Sequence, residues 1–488
     1  MINYDRKRNP QPTQKPEIRS TNFEEASGNY TKEQAVAEAM RCFNCREHPC
    51  MEACPTSQRI PEFIACVARG EFEAAYEIIR TRSCMPAICG RVCPQERQCE
   101  GHCTRGNKGE AVKIGALERF VADWHEKNVK SADAEQTSAA AEQLTSAAEE
   151  GLADVKTAAG SCGVVAIVGT GPAGLACAES LISRGYAVTV YDALDRPGGV
   201  LTYGIPQFRL PGPVVQNLIG DLKTAGVEFR MNTWVGEDVT VEGLLSDGYD
   251  AVFIGVGAEK RNTLDIPNID ALQVVSAYDY LAQINASVEG LGEVEPALKE
   301  AKHVVIVGAG NVSMDVSHSA KRMGAESMTI VYHRSVADSA ATIEELTQAQ
   351  EEGVTLCEYA APAAILTDET GNVTGIECLK TVPGQPDESG RRAPVLVEGS
   401  NFVVPADLII LALGAKPEGS VFGAEEQEMM SDRGVVAANE DGETRHPGVF
   451  AGGDAVIGAA TVVKAMKGGR TAAESIDEYV KAKYASAS

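Results

Sequence analysis

Tryptophan is nearly absent from this chain, with two residues among 488, while glycine occurs forty-seven times. That imbalance speaks against a Trp-rich sandwich and for tight turns between strands and helices, although composition alone names no fold. Positive charge is also in short supply. Forty-four Lys and Arg against sixty-nine Asp and Glu leave a formal charge of −25, which repels a polyanion and excludes nucleic acid as an expected partner. No stretch approaches the roughly 18 consecutive apolar residues of a membrane span. The opening Met1-Ile2-Asn3-Tyr4-Asp5-Arg6 has no apolar signal core, so a cytoplasmic chain is expected. With 44% hydrophobic residues the chain can bury substantial cores, and its length suggests about two to four domains.

Cysteine is concentrated rather than scarce. Ten of the fourteen lie between Cys42 and Cys103, while Cys162, Cys177, Cys357 and Cys378 are scattered. Disulfides need an oxidising compartment, so clustered thiols in an unexported chain favour metal binding. The first run is Cys42-x2-Cys45-x4-Cys50-x3-Cys54-Pro55 and the second is Cys89-x3-Cys93-Pro94-x4-Cys99-x3-Cys103. These are iron–sulfur spacings. In bacterial ferredoxins the last cysteine of a Cys-Pro-terminated run ligates the other cluster. By the same geometry Cys42, Cys45 and Cys50 are expected on one cluster and Cys54 on a second. Tetrahedral zinc is the alternative for paired thiolates, but the number of thiols and the Cys-Pro ends fit two clusters better. Cys66 and Cys84 fall outside the spacing and read as ordinary buried thiols.

Periodicity predicts a short helix over Thr31–Met40, a helix over 61–82 interrupted near Gly70, and another over Ile114–Trp124. From about Ser131 to Gly160 the chain is rich in Ala, Glu, Ser and Thr without a continuous apolar stripe, as in a linker or solvated helix. Two strand–glycine-turn–helix segments follow. In the first, Val164–Val168 leads into Gly169-Thr170-Gly171-Pro172-Ala173-Gly174, and Asp192 ends the next strand, where an acid suits a ribose 2′-hydroxyl. In the second, His303–Val307 leads into Gly308-Ala309-Gly310-Asn311-Val312-Ser313, with serine in place of the last glycine. Its next strand ends in His333-Arg334 instead of an acid, and a cation there favours the 2′-phosphate of NADP(H) over NAD(H). An exposed arginine without a ligand is the bland alternative. Phe450-Ala451-Gly452-Gly453-Asp454 supplies the second half of an FAD signature. The following Ala460-Thr461-Val462-Val463-Lys464-Ala465-Met466 is expected to form a helix whose N-terminus favours negative charge on the reduced flavin.

A family is recognisable in these residues. Arg41-Cys42-Phe43-Asn44-Cys45, Cys54-Pro55, Ile60-Pro61, Cys89-Gly90-Arg91-Val92-Cys93-Pro94 and Leu117-Glu118-Arg119 resemble glutamate synthase small subunits. They are also similar to the N-terminal part of dihydropyrimidine dehydrogenase and to the large subunit of the electron-bifurcating ferredoxin:NADP transhydrogenase. The likeness runs through both nucleotide motifs and spares only the 131–160 segment. It implies an α/β fold with an N-terminal α-helical iron–sulfur domain and two Rossmann-like domains, the second inserted in the first. The implied boundaries are 1–130 for two [4Fe–4S] clusters, 131–160 for the linker, 161–287 with 415–488 for FAD, and 288–414 for NAD(P)H.

The resemblance places Cys42, Cys45, Cys50 and Cys103 on cluster 1, and Cys54, Cys93 and Cys99 on cluster 2. Glu118 is the implied fourth ligand of cluster 2, with Cys89 as the competitor. Gly169, Gly171, Pro172, Ala173, Gly174, Asp192, Gly453, Asp454, Ala460 and Thr461 are the expected FAD residues, with Asp454 on the ribityl chain. Pro197-Gly198-Gly199 and Gly204-Ile205-Pro206-Gln207-Phe208-Arg209 resemble the family's flavin-lining loop; a surface turn is the alternative. Gly308, Gly310, Asn311, Val312, His333 and Arg334 are expected at the nicotinamide dinucleotide. Relatives carry two adjacent basic residues and a further arginine; this chain has His333 in the first place and Ser339-Ala340-Ala341-Thr342 where the arginine is expected.

The implied chemistry is hydride transfer between nicotinamide and FAD followed by one-electron steps through two clusters, with no obligatory protein acid or base. The final acceptor then belongs to a partner: a glutamate-synthase large subunit, or a small flavoprotein and ferredoxin system. A stand-alone disulfide reductase would need a redox cysteine pair beside the flavin. An electron-wiring or scaffold subunit is a further alternative, motivated by the missing arginine.

Overall fold

A computed structural model describes residues 3–130, 162–386 and 392–487; the expected 131–160 linker lies outside the described residues. The N-terminal part is helical. Helix α1 (Lys32–Ala39) starts at Thr31, whose hydroxyl accepts from the Gln34 amide while the Gln34 side chain accepts from Thr31 N–H, a reciprocal capping box. The expected 61–82 helix is two helices, α2 (Ile60–Arg69) and α3 (Phe72–Arg80), because Gly70 takes a left-handed conformation (φ +80°) and stops the first. Helices α4 (Pro86–Val92) and α5 (Ile114–His125) follow. Phe63, Ile64, Val67, Phe72, Ile79, Leu117 and Phe120 form the core of this part, and Cys42, Cys50 and Cys54 of the first run pack against that core.

Two α/β units follow. The first contributes β1 (Val164–Val168), α6 (Pro172–Ile182), β2 (Ala187–Tyr191), α7 (Gly212–Thr224), β3 (Glu228–Arg230) and β4 (Ala251–Ile254). The second contributes β5 (Val274–Ser276), α8 (Ala277–Val288), β6 (His303–Val307), α9 (Asn311–Met323), β7 (Ser327–Tyr332), α10 (Ile343–Glu351) and β8 (Val354–Glu358). It continues through β9 (Ala360–Thr367), β10 (Val373–Pro386), β11 (Arg392–Leu396), β12 (Phe402–Pro405) and β13 (Leu408–Leu411). The chain then returns with β14 (Val449–Ala451) and the long α11 (Val462–Ala487).

One parallel sheet has the order β14-β4-β1-β2-β3 and the other β5-β13-β6-β7-β8. The continuous apolar runs of β1, β4, β6 and β13 are those of strands buried on both faces. Strand β14 pairs with β4 after the whole second sheet has been made, so the second nucleotide unit is an insertion in the first. The antiparallel β9–β12 cover one face of the second sheet, burying Ile365, Ile376 and Cys378 against Val305, Val307 and Val331.

Residues 274–287, grouped with the FAD half in the sequence-based boundaries, lie with the second sheet. Val274 pairs with Ile409, and Tyr280, Leu281 and Ile284 of α8 sit in its core. Local periodicity reveals a strand and a helix but not which of two similar sheets they join. An antiparallel ribbon, Lys260–Arg261 with Ala415–Lys416, marks where the chain crosses in both directions. Among the described residues no helix is long and apolar enough to cross a membrane.

Candidate functional site

Both cysteine runs fold back on themselves and bring sulfur from distant positions together. Cys42, Cys45, Cys50 and Cys103 line one cavity with His48, Ile60, Ile64 and Arg105. The loop is shaped by left-handed Asn44 (φ +48°) and His48 (φ +46°). Asn44 N–H points to Cys42 Sγ at 3.4 Å, and the Cys45 thiol donates to Thr104 Oγ1 at 3.3 Å. Burial raises the Cys42 thiol, and burial beside Cys42 and Cys103 pushes Cys50 up to about 12. Thiolates are the metal-binding form, so the raised Cys42 and Cys50 are matched to a group that supplies positive charge.

Arg41, fully buried, holds this pocket's walls. Its guanidinium donates to Glu110 O (2.6 Å) and Ala111 O (3.1 Å) and pairs with Glu38 at 2.6 Å. Nothing in its sequence context marked it beyond its place before Cys42. Phe43, 37% exposed, and Tyr4 lie beside each other with ring centroids 6.2 Å apart, so this pocket is close to the surface.

The second thiol group lies deeper. Cys93 is raised by its hydrogen bond with Cys89 and by burial, with Glu118 and Cys99 adjacent; Cys99 is raised by burial, with Cys54 and Glu118 adjacent. Cys54, Cys93, Cys99 and Glu118 therefore converge, and Cys89 reaches the same place. Gly90 makes this approach achievable: a Cβ on it would fall 2.6 Å from Arg119 N, so only glycine lets α4 lie against α5 there. Burial alone pushes Glu118 up to about 8, and it has no hydrogen-bond or ion-pair partner among the described residues, whereas Cys89 accepts a long contact from Ser83 Oγ at 3.9 Å. Among the described residues no three His, Cys, Asp or Glu side chains close on one point. A cubane takes its ligands at four separate corners and needs wider spacing.

Helix α4 carries Cys89 and leads to Cys93, and it packs into the first α/β core. Met85, Ile88 and Cys89 share that core with Ala173, Leu210 and Met466. The second thiol group thus bridges two cores, Cys89 and Cys93 against that of the first glycine turn and Cys54 and Cys99 in the helical domain's own, where Cys42, Cys50 and Cys103 also pack.

At that turn, a Cβ on Gly174 would fall 1.9 Å from Gly169 O, whereas one on Gly171 would meet nothing within 4 Å. The backbone is closed toward the protein and open outward, a cradle for a pyrophosphate at the N-terminus of α6, where Pro172 and Ala173 begin the helix. Asp192 accepts from Thr170 N–H (2.7 Å) and Thr170 Oγ1 (2.5 Å), and Thr170 Oγ1 in turn accepts from Gly198 N–H (3.1 Å). Thr170, an unspecified position in the fingerprint, ties the turn to both the expected ribose acid and the Gly198-Gly199 loop. Gly453 and Asp454 come to the same turn, Gly453 beside Ala173. Burial raises Asp454 to about 6; Oδ2 accepts from Ala460 N–H at 3.2 Å, while Oδ1 and Thr461 Oγ1 are buried without partners. Those orphan oxygens, next to an open cradle, fit the hydroxyl-bearing chain of a dinucleotide cofactor.

Arg209 goes elsewhere. Its guanidinium is committed to Asp315 on α9 (2.9 and 3.0 Å) and Glu345 on α10 (2.7 Å), so it joins the FAD half to the inserted unit instead of facing the first glycine turn. The sequence could not show this, because both carboxylates lie more than a hundred residues away.

The second turn repeats the cradle. Gly308 (φ +116°) approaches Ala412 O, and Gly310 is open. Ser313 is buried in place of the third glycine; its hydroxyl and Asn311 Oδ1 lack partners, and Val312 is exposed. At the end of β7, His333 O accepts from Thr381 Oγ1 (2.8 Å), Arg334 O accepts from Tyr359 N–H (3.2 Å), and Arg334 Nε is buried without a hydrogen bond. Cys357 and Cys378 both belong to the core of this unit, not to the first turn.

Residues 19–130 match the family described as dihydropyrimidine dehydrogenase domain II, 4Fe-4S cluster, and residues 163–471 match pyridine nucleotide-disulphide oxidoreductase. The NADPH glutamate synthase small chain of Escherichia coli is 35% identical over 473 residues, covering 95% of this chain and 96% of that protein. The beta subunit of NADP(+)-dependent formate dehydrogenase from Moorella thermoacetica is 37% identical over 89% of this chain and 60% of its own length. Among solved structures, FprA, an oxidoreductase of Mycobacterium tuberculosis, superposes with a TM-score of 0.55 at 20% identity, over 67% of this chain and 86% of that one, a likeness of fold.

Proposed function

The chain belongs to the family of glutamate synthase small chains and, on that premise, we propose that it is the electron-input subunit of a larger assembly, oxidising or reducing a nicotinamide dinucleotide. It is an FAD and iron–sulfur oxidoreductase. The observation that carries the reading is the placement of α4, which puts Cys93, of the Cys54–Cys93–Cys99–Glu118 group, against the core of the first glycine turn, leaving the Cys42–Cys45–Cys50–Cys103 pocket farther out by the exposed Phe43. Two pockets in series, one deep and one near the surface, suit passage of single electrons from a flavin to a partner.

When bound, FAD exchanges two electrons with nicotinamide and single electrons with iron–sulfur clusters. In our assignment the open amides around Gly171 hold its pyrophosphate, Asp192 its ribose, and Asp454 with Thr461 its ribityl hydroxyls. Gly199, which abuts Gly171, closes the turn from the other side. Ala460 N–H orders the Asp454 carboxylate for that contact. The residues of the second turn, Gly308 to Ser313, receive the mobile dinucleotide, and Arg334, with its unsatisfied Nε, supports NADP(H) over NAD(H). Cys42, Cys45, Cys50 and Cys103 hold one cluster. Cys54, Cys93 and Cys99 hold the other, with Glu118 as the fourth ligand.

The relatives are named as subunits or chains of multi-component enzymes, which supports a partner subunit here. Its identity is a glutamate-synthase large subunit or a small flavoprotein and ferredoxin system, and subunits recovered with the protein from its native source tell these apart. The remoteness of Cys357 and Cys378 from the first turn weighs against a stand-alone disulfide reductase. The test is preparation without oxygen. About eight irons, four per cubane, one FAD, and bleaching of flavin absorbance by NADPH are expected. Zinc without acid-labile sulfide, or a flavin that NADPH and NADH both leave unreduced, overturns the assignment.

A further inference from the structure

Helix α10 and the loop before it are gripped from three directions. Lys113 of the helical domain pairs with Glu344 (2.8 Å), Arg209 of the FAD half with Glu345 (2.7 Å), and Arg19, at the end of the short helix Pro16–Arg19, with Glu351 (2.6 Å). Two further contacts come from the short segment between Cys93 and Cys99. Glu96 Oε2 accepts from Ile343 N–H at 2.9 Å, and Arg97 Nη2 donates to both Ser339 O and Ala341 O, the latter at 3.0 Å. Ser339 and Ala341 are buried, so these carbonyls lie on a packed loop rather than a free one.

We propose that Arg97 is a positioning residue for the nicotinamide dinucleotide: from the cluster-2 loop it fixes the backbone that follows His333-Arg334, and so couples dinucleotide binding to cluster 2. The proposal rests on the reading above that Cys93 and Cys99 are cluster ligands and that Arg334 faces the ribose end of the dinucleotide.

The physical case has two halves. On the cluster side, Gln95–Arg97 is a single tight turn, and Gln95 O accepts from Glu100 N–H (3.0 Å) and Gly101 N–H (3.2 Å). Such a bonded segment moves as a piece, so a displacement of Cys93 or Cys99 is passed to Glu96 and Arg97. On the nucleotide side, the loop 335–342 begins at the residue after Arg334, and its end is the start of α10. One guanidinium nitrogen shared by two carbonyls, with the neighbouring carboxylate on the next free amide, sets where that loop runs. This stretch holds Ser339-Ala340-Ala341-Thr342, short side chains that offer no cation to a phosphate. Glu358 holds the start of the loop, accepting from Ser335 Oγ (2.8 Å) and Val336 N–H (2.6 Å), and Arg97 holds its end from the cluster-2 loop. Reciprocity then follows: if the cluster-2 loop improves dinucleotide affinity by some factor, the dinucleotide biases the cluster-2 loop by the same factor.

The experiment uses anaerobic holoprotein and titrates NADP+ and NAD+ against flavin absorbance, with electron paramagnetic resonance of the reduced clusters recorded with and without nucleotide. For Arg97→Met we expect unchanged iron and flavin, NADP+ affinity lower by about tenfold as for a lost charge-assisted contact, and loss of a nucleotide-induced change in the cluster-2 signal that the wild type displays. Arg97→Lys, which keeps a donor, restores part of both. Affinity within twofold of wild type in Arg97→Met, or a wild-type cluster-2 signal indifferent to nucleotide, overturns the coupling while leaving the proposed function standing. Absence of any dinucleotide binding by the wild type overturns both. Were Arg97→Met to lose iron, Glu96→Ala, which cuts the adjacent contact to Ile343, is read by the same two measurements.

Discussion

Arg209 and Asp315 face each other across the junction of the two nucleotide units, with both carboxylate oxygens within 3.0 Å of one guanidinium nitrogen. Asp315 lies on the helix that the second glycine turn opens, so this pair sets how that turn is presented to the FAD half. Burial raises the Asp315 carboxyl even beside Arg209.

Removing the cation therefore strands a buried acid. Arg209→Ala is expected to destabilise the protein by about 3 kcal/mol, in the range for breaking a buried pair from one side, and to lower the rate of flavin reduction by NADPH more than flavin content. Arg209→Ala with wild-type melting temperature and wild-type reduction rate in stopped-flow would refute this role.

Glu352 predicts an acid-sensitive junction. Burial works against its charge, but the hydrogen bond from His318 and the cations Arg322 and Arg19 outweigh it and hold the carboxyl at about 2. A folded-state value below the ordinary one means the stabilisation is complete above about pH 5 and is lost as pH falls toward 2. Glu352→Gln should be less stable than wild type near neutrality and lose less between pH 6 and 3. Thermal melts of both proteins across that range test it; parallel curves would count against the junction.

For cluster 2, Glu118→Ala should remove one of two cluster signals and about four irons, and Cys89→Ala should leave both. The opposite pattern transfers the fourth ligand to Cys89. Iron analysis with electron paramagnetic resonance of each reduced variant decides.

Specificity should follow Arg334. Arg334→Ala is expected to lower kcat/KM for NADPH by about 10- to 100-fold, the weight of one charge-assisted phosphate contact, and to change that for NADH by less than threefold. Steady-state kinetics with a dye acceptor measure it; an equal loss with both nucleotides removes the case for a 2′-phosphate contact.

What the sequence determined by itself is whatever is written in short spacings. The two cysteine runs, the turns at Gly169 and Gly308, Asp192 at its strand end and Asp454 after Gly453 are each local patterns, because a thiol loop or a glycine turn is built from neighbours along the chain. The helix start at Thr31 and the stop at Gly70 are legible for the same reason. Tertiary structure alone decided the relationships between units. Val274–Val288 joins the second sheet, Arg209 turns to Asp315 and Glu345, Arg97 reaches Ser339 and Ala341, and Gly90 admits Arg119. Each of these joins residues remote in sequence, and no periodicity or propensity encodes which of many charged side chains a given arginine meets. That choice is made by packing, once the helices and sheets have fixed where the loops between them run.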